Sequence, residues 1–171
     1  ESVVDVLKSD FLTQGPKVPE FENKVATTVA AEYAVAVNSA TSALHLACLS
    51  LGLSADDIAW TSPISFVASA NCALYCGASI DFVDIDPATN NISVNALEHK
   101  LKIAKIEGNL PKILIVVNFS GLPCDMREIA KLAKKMGVKK FIYISSQSIY
   151  GVSKKDEFLD EYKSKKNPVT A

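Results

Sequence analysis

The sequence predicts an α/β fold of three αβα layers around a mainly parallel sheet, and three observations predict it. Uninterrupted apolar runs such as Ile113-Leu-Ile-Val-Val117 look like strands covered on both faces. Apolar residues three and four apart, as at Ala43, Leu44, Ala47 and Leu51, mark helices between such runs. The two patterns alternate along most of the chain, as strand–helix–strand units require.

In order, Ser2 to Leu7 suits a short helix, and Gln14-Gly-Pro16 separates it from a second helix carrying Val18, Phe21, Val25 and Val29. An apolar run with valines at 35 and 37 predicts a strand at 34–37, which stops at Asn38-Ser39 where a helix over 41–51 begins. Strand 57–61, helix 65–75 and strand 79–84 follow. The stretch Asp86-Pro-Ala-Thr-Asn-Asn91 is rich in turn formers. A helix near 94–107, a buried strand at 112–118, a helix near 125–136 and a strand at 139–145 complete the regular part. From Lys154 onward the chain is polar and lysine-rich, with no apolar stripe wide enough for a core helix, so an exposed tail is expected.

Of the 171 residues 49% are apolar, ample for a core, and the length suits one domain. The net charge of −1, with lysines spread along most of the chain, argues against nucleic acid or an anionic membrane as the main partner. No apolar run approaches the ~20 residues that span a bilayer. Glu1 opens onto amphipathic sequence rather than a basic, apolar leader, so a cytoplasmic protein is expected. Of the four cysteines, Cys48, Cys72 and Cys76 lie in apolar helical patterns and read with Cys124 as reduced thiols. Cys72 and Cys76 share a helix face, but no second ligand pair follows at zinc-like spacing, and no metal site is expected. His45 and His99 have no Ser, Cys or acid at catalytic spacing.

The candidate site comes from two strand-to-helix junctions, Val35-Ala-Val-Asn-Ser-Ala-Thr-Ser-Ala43 and Trp60-Thr-Ser-Pro-Ile-Ser-Phe-Val67. A helix start attracts anions through its unpaired N–H groups. Small side chains at Ser39-Ala-Thr-Ser42 let the backbone approach an anion, and Thr41 and Ser42 add hydroxyls. Taken alone, the same residues read as plain N-capping by Asn38 or Ser39.

With Leu12-Thr-Gln-Gly-Pro-Lys-Val-Pro-Glu-Phe-Glu22 and Val83-Asp-Ile-Asp86, these segments resemble the pyridoxal-phosphate-dependent sugar-nucleotide aminotransferases of the DegT/DnrJ/EryC1/StrS type. They are most similar to the branch that aminates UDP-linked 4-keto-6-deoxy sugars for pseudaminic acid. The resemblance covers about residues 1–136. It implies part of the large domain of a fold-type I transferase, pyridoxal 5'-phosphate as cofactor, an amino donor such as glutamate, and a homodimeric family. It also implies that Ala40, Thr41 and Ser42 take the cofactor phosphate, that Phe66 stacks on its ring, and that Thr13, Gln14 and Asn118 face the nucleotide sugar. Read from the residues alone, Phe66 is equally a core side chain and Thr13-Gln14 equally a turn before Gly15-Pro16. Asn71 reads either as a polar helix residue or as a donor behind the site.

Beyond about residue 136 the family's acid for the pyridine nitrogen and its cofactor-bound lysine find no counterpart motif. Residues 137–171 instead resemble the extended short-chain dehydrogenase/reductases, NAD-dependent epimerases and dehydratases, through Phe141-Ile-Tyr-Ile-Ser-Ser-Gln-Ser-Ile-Tyr-Gly151. That resemblance implies Ser146 as a substrate hydrogen-bonding serine, although the chain has no Gly-x-Gly-x-x-Gly loop. The expectation is therefore a truncated, chimeric aminotransferase, inactive alone, of two parts, 1–136 and 137–171. The alternatives are an inert ligand-binding or subunit-interaction remnant and an NAD-dependent epimerase/dehydratase fragment.

Overall fold

The computed structural model describes residues 2–138 and 140–144. These residues form two compact units that divide between Val37 and Asn38. The first holds α1 (Ser2–Leu7) and α2 (Lys17–Thr28). Ala26 is the one buried residue of α2, and the expected stripe is largely uncovered, with Val18, Phe21 and Val29 all exposed.

The run 34–37, expected as a strand, is not one. Val35 is exposed, and the Ala36 N–H donates to Oε1 of Glu22 at 2.8 Å, so a carboxylate from α2 satisfies a group that a ladder would have used. A four-residue apolar run with valines at 35 and 37 favours extended backbone but cannot supply a neighbouring strand.

The second unit is the α/β body: α3 (Ala40–Ser50), β1 (Ile58–Thr61), α4 (Ala68–Tyr75), β2 (Ser79–Phe82), α5 (Val94–Glu107), β3 (Ile113–Val117), α6 (Met126–Met136) and β4 (Lys140–Ile144). The four strands pair in parallel in the order β2-β1-β3-β4. Alternate residues of β3 serve opposite faces, as the two-residue period demands. Ile113 and Ile115 pack with Leu44 and Cys48 of α3 and Cys72 of α4. Leu114 and Val116 pack with Leu97 and Leu101 of α5 and Ile129 and Met136 of α6. Helices thus cover both faces, which explains why the strand is apolar at successive positions and confirms three αβα layers.

Helix ends follow local chemistry. Ser93 and Asp125 cap α5 and α6 by accepting from the N–H groups of Ala96 and Glu128, each at 3.2 Å. Gly108 and Gly137 end the same helices at φ 74° and 103°, where a side chain would be strained. Helix α4 starts at Ala68 rather than at 65, leaving Ser65 and Phe66 in an irregular entry segment. Among the described residues no helix is long and apolar enough to cross a membrane.

Candidate functional site

From β1 the chain leaves through α4 toward β2, and from β3 through α6 toward β4 on the other side. These connections diverge on opposite faces, α4 with the α3 layer and α6 with the α5 layer. The carboxyl ends of β1 and β3 therefore bound a crevice at a topological switch point, where open parallel sheets bind ligands. The β1 lip carries Thr61, whose buried hydroxyl donates to the Ile115 carbonyl at 3.1 Å, and buried Ser62. Beyond them the Ser65 and Ser69 hydroxyls pair at 2.7 Å. Phe66 projects from this segment with 75% of its surface exposed, so it is not the core side chain its residue type also allowed. Asn71 is half-buried in α4.

Two lysines reveal the direction of α3. Lys112, just before β3, donates to the Gly52 carbonyl, and Lys140, the first residue of β4, donates to the Leu51 carbonyl. Both lie at the amino ends of strands, so the C-terminal end of α3 lies there too. An 11-residue helix is ~16 Å long. Its N-terminus therefore returns to the carboxyl end of the sheet, the side of the crevice. The lysines also place positive charge on the negative end of the helix dipole.

At that N-terminus Ser39 is extended at φ −160° and its Oγ accepts from the Ser42 N–H at 3.2 Å. The Ser42 hydroxyl donates to Oδ1 of Asn38 at 2.7 Å, and the Ala43 N–H reaches the Ser39 carbonyl at 3.0 Å. Capping is thus real, but it uses only the third and fourth helical N–H groups. Those of Ala40 and Thr41 have no partner among the described residues, as expected for the first positions of a helix. Ser39 thus organises the turn and leaves the Ala40 and Thr41 N–H groups at the start of the helix.

Across the crevice, Asn118 follows β3 and is nearly buried. Its Oδ1 accepts from the Cys124 N–H at 3.0 Å and its Nδ2 donates to the Tyr143 hydroxyl. The side chain expected to face substrate thus bonds its own loop through Oδ1 and strand β4 through Nδ2. The next turn, Phe119–Gly121, holds Ser120 at φ 51° and ψ 28°. It is clamped from outside by Asn91, 4% exposed. The Asn91 Oδ1 accepts from the Phe119 N–H at 2.8 Å, and its Nδ2 donates to the Leu122 carbonyl at 2.9 Å and the Pro123 carbonyl at 3.3 Å. Sequence reasoning missed Asn91, because as the last residue of a turn-rich stretch it carried only the signal of a turn former.

In the first unit, Gln14 lines a cleft of about 250 Å³ with Asp5, Val6, Phe11, Leu12 and Lys17, whereas Thr13 does not line it. Ser146 lies outside the described residues, as do the rest of the Ser145–Gly151 segment and the tail from Lys154.

His45 sits edge-on to the Tyr75 ring at 5.4 Å and bridges α3 and α4 by packing. Cys48, Cys72 and Cys124 are buried free thiols, and Cys76 is half-buried. Burial pushes the Cys124 thiol up to about 11.

Comparison with known proteins gives a coherent result. The model of the DegT/DnrJ/EryC1/StrS aminotransferase family matches residues 1–150, a span that crosses residue 136 without a break. The chain is 37% identical over 138 residues to the UDP-4-amino-4,6-dideoxy-N-acetyl-beta-L-altrosamine transaminase of Campylobacter jejuni, covering 81% of this chain and 35% of that protein. It is 33% identical over 163 residues to the GDP-perosamine synthase of Escherichia coli O157:H7, covering 95% and 43%. A crystal structure of a DegT DnrJ EryC1 StrS aminotransferase from Brucella abortus superposes with a TM-score of 0.75 at 27% identity, over 88% of this chain and 39% of that one. The chain thus spans roughly a third to two fifths of the length of these relatives.

Proposed function

Because the chain belongs to the DegT/DnrJ/EryC1/StrS aminotransferase family, we propose that its crevice is a pyridoxal 5'-phosphate cradle serving amine transfer to a nucleotide-linked sugar. The observation that carries this reading is the pair of unpartnered N–H groups at Ala40 and Thr41, at the start of a helix aimed at the carboxyl end of a parallel sheet. The residues fit the group. Two N–H donors and the Thr41 hydroxyl suit a phosphate, whereas the Ser42 hydroxyl is already given to Asn38 and organises the turn instead; the exposed Phe66 ring suits the flat face of a pyridine. Bound there, the cofactor supplies the electron sink that amine exchange needs. The chain's own residues anchor its phosphate and orient its ring.

The sugar class we propose is a UDP-linked 4-keto-6-deoxy sugar of the pseudaminic acid type, with glutamate as donor and the cytoplasm as compartment. Similarity to the Campylobacter transaminase supports the UDP-linked choice, while a similar GDP-perosamine synthase makes the nucleotide base the point to test. Gln14, in its cleft, is the stronger of the two N-terminal substrate candidates. Asn118 acts by shaping its loop. Within these 171 residues no lysine matches the family's cofactor-bound position, so the roles proposed here are to bind and orient the cofactor.

The test is fluorescence titration with pyridoxamine 5'-phosphate, which cannot form adducts with surface lysines, comparing the wild type with Ala40→Pro. Proline is tolerated at the first helical position and after an extended residue such as Ser39, so it removes one donor without breaking the helix. Saturable binding weakened about tenfold by Ala40→Pro is expected. Unsaturable binding, or equal binding by both proteins, would overturn the reading.

A further inference from the structure

We infer that Asn91 is a positioning residue of the cofactor crevice: its buried amide holds the 119–123 loop in the strained turn that forms the β3 side of the site. The inference rests on the cradle reading above. Three observations carry it. First, the amide is used up on backbone groups of a segment 28 to 32 residues away in sequence, one N–H and two carbonyls. Second, the clamped turn contains Ser120 at φ 51°, a left-handed conformation that serine adopts only against a steric cost. Third, the clamp is anchored at both ends. The Asn91 carbonyl accepts from the Asp86 N–H at 2.8 Å, and an antiparallel bridge joins Ile85 to Ile92, whose side chain is buried in the core shared with Leu97 and Val116.

The physical consequence is a division of labour. The first turn of α3 holds an anion with groups that do not depend on the loop. The loop governs the other wall of the crevice, where a ring attached to that anion would lie. A small anion should therefore ignore Asn91, whereas a ligand that adds a pyridine ring to the same phosphate should not. A buried amide serves here better than a carboxylate, because it offers both an acceptor for Phe119 and donors for Leu122 and Pro123. A carboxylate would face two carbonyl oxygens without a proton between them.

The experiment uses the full chain with Asn91→Asp and Asn91→Leu. Amide hydrogen exchange is read at Phe119 and Cys124 and, as an internal control, at Ile113 to Val116. Affinity is read for inorganic phosphate and for pyridoxamine 5'-phosphate. In Asn91→Asp we expect the Phe119 amide to exchange about tenfold faster with the strand amides unchanged. Pyridoxamine 5'-phosphate should bind about tenfold more weakly with phosphate affinity unaltered. Relative to the wild type at each pH, the Asn91→Asp defect should shrink on acidification, since a protonated carboxyl regains one donor. The Asn91→Leu defect should not shrink, a difference that mere loss of packing would not produce. Unchanged exchange at Phe119, or a loosened loop with undiminished pyridoxamine 5'-phosphate binding, would overturn the inference. If the wild type itself bound no pyridoxamine 5'-phosphate, the cradle reading would fall and the positioning role with it, and the exchange data would show separately whether the clamp exists.

Discussion

The Lys112 ammonium lies 2.7 Å from Oδ2 of Asp57 while also donating to the Gly52 carbonyl, so one side chain ties the approach to β1, the entry to β3 and the C-terminal end of α3. The bond from Lys112, and then the Ser54 hydroxyl, holds the Asp57 carboxyl below its ordinary value. A depressed carboxyl stabilises the fold above its unfolded value and loses that contribution as pH falls through its folded value. Urea midpoints should therefore fall on acidification below about pH 4. Asn in place of Asp57 should flatten that part of the profile, and an unchanged slope would assign it to other groups.

Ser39→Ala removes the cap but leaves Ala40 and Thr41 in place. Stability should drop by about 1 kcal/mol in denaturant titration. Pyridoxamine 5'-phosphate affinity should fall much less than in Ala40→Pro.

Phe66→Ala separates binding from folding, because the ring is exposed. Thermal unfolding should stay within about 0.5 kcal/mol of the wild type, whereas pyridoxamine 5'-phosphate binding should weaken measurably. A large stability loss would return Phe66 to a packing role.

Leu101→Ala and Ile115→Ala probe the two opposite cores, at positions with no exposed surface. Each should cost about 2–5 kcal/mol in urea unfolding. A much smaller loss at one site would mean that its helix layer contributes little.

Thiol labelling of the native protein at neutral pH should begin at half-buried Cys76 and reach Cys48, Cys72 and Cys124 only on opening. The Cys124 thiol, raised to about 11 by burial, stays protonated in the fold at pH values that ionise it in the unfolded chain. Its contribution to stability is thus complete below about pH 8.5 and declines above it. Cys124→Ser should lessen that alkaline loss.

Much of the architecture was legible because it depends on local pattern. The run 113–117 is apolar at every position because both faces are covered, and Ser93 with Gly108 announces the ends of α5 through cap chemistry alone. The start of α3 was legible for the same reason, since Ser39 and the small residues after it define a helix start whichever role they play. The apolar run 34–37 failed as a strand because extended propensity does not supply a partner, and Glu22 satisfied the Ala36 N–H instead. Phe66 was ambiguous because residue type does not encode exposure.

By itself the sequence determined the α/β class, the segments that became β1 to β4, the starts of α3, α5 and α6 to within a residue and the small-residue segment Ser39–Ser42, all marked by patterns within a few residues along the chain. Only the tertiary structure decided that α3 turns its N-terminus toward the crevice, that Asn118 bonds its own loop and Tyr143 of β4, and that Asn91 clamps that loop from 28 residues away. Those facts rest on hydrogen bonds between segments brought together only by sheet order, and sheet order is a property of the whole packed unit rather than of any local pattern.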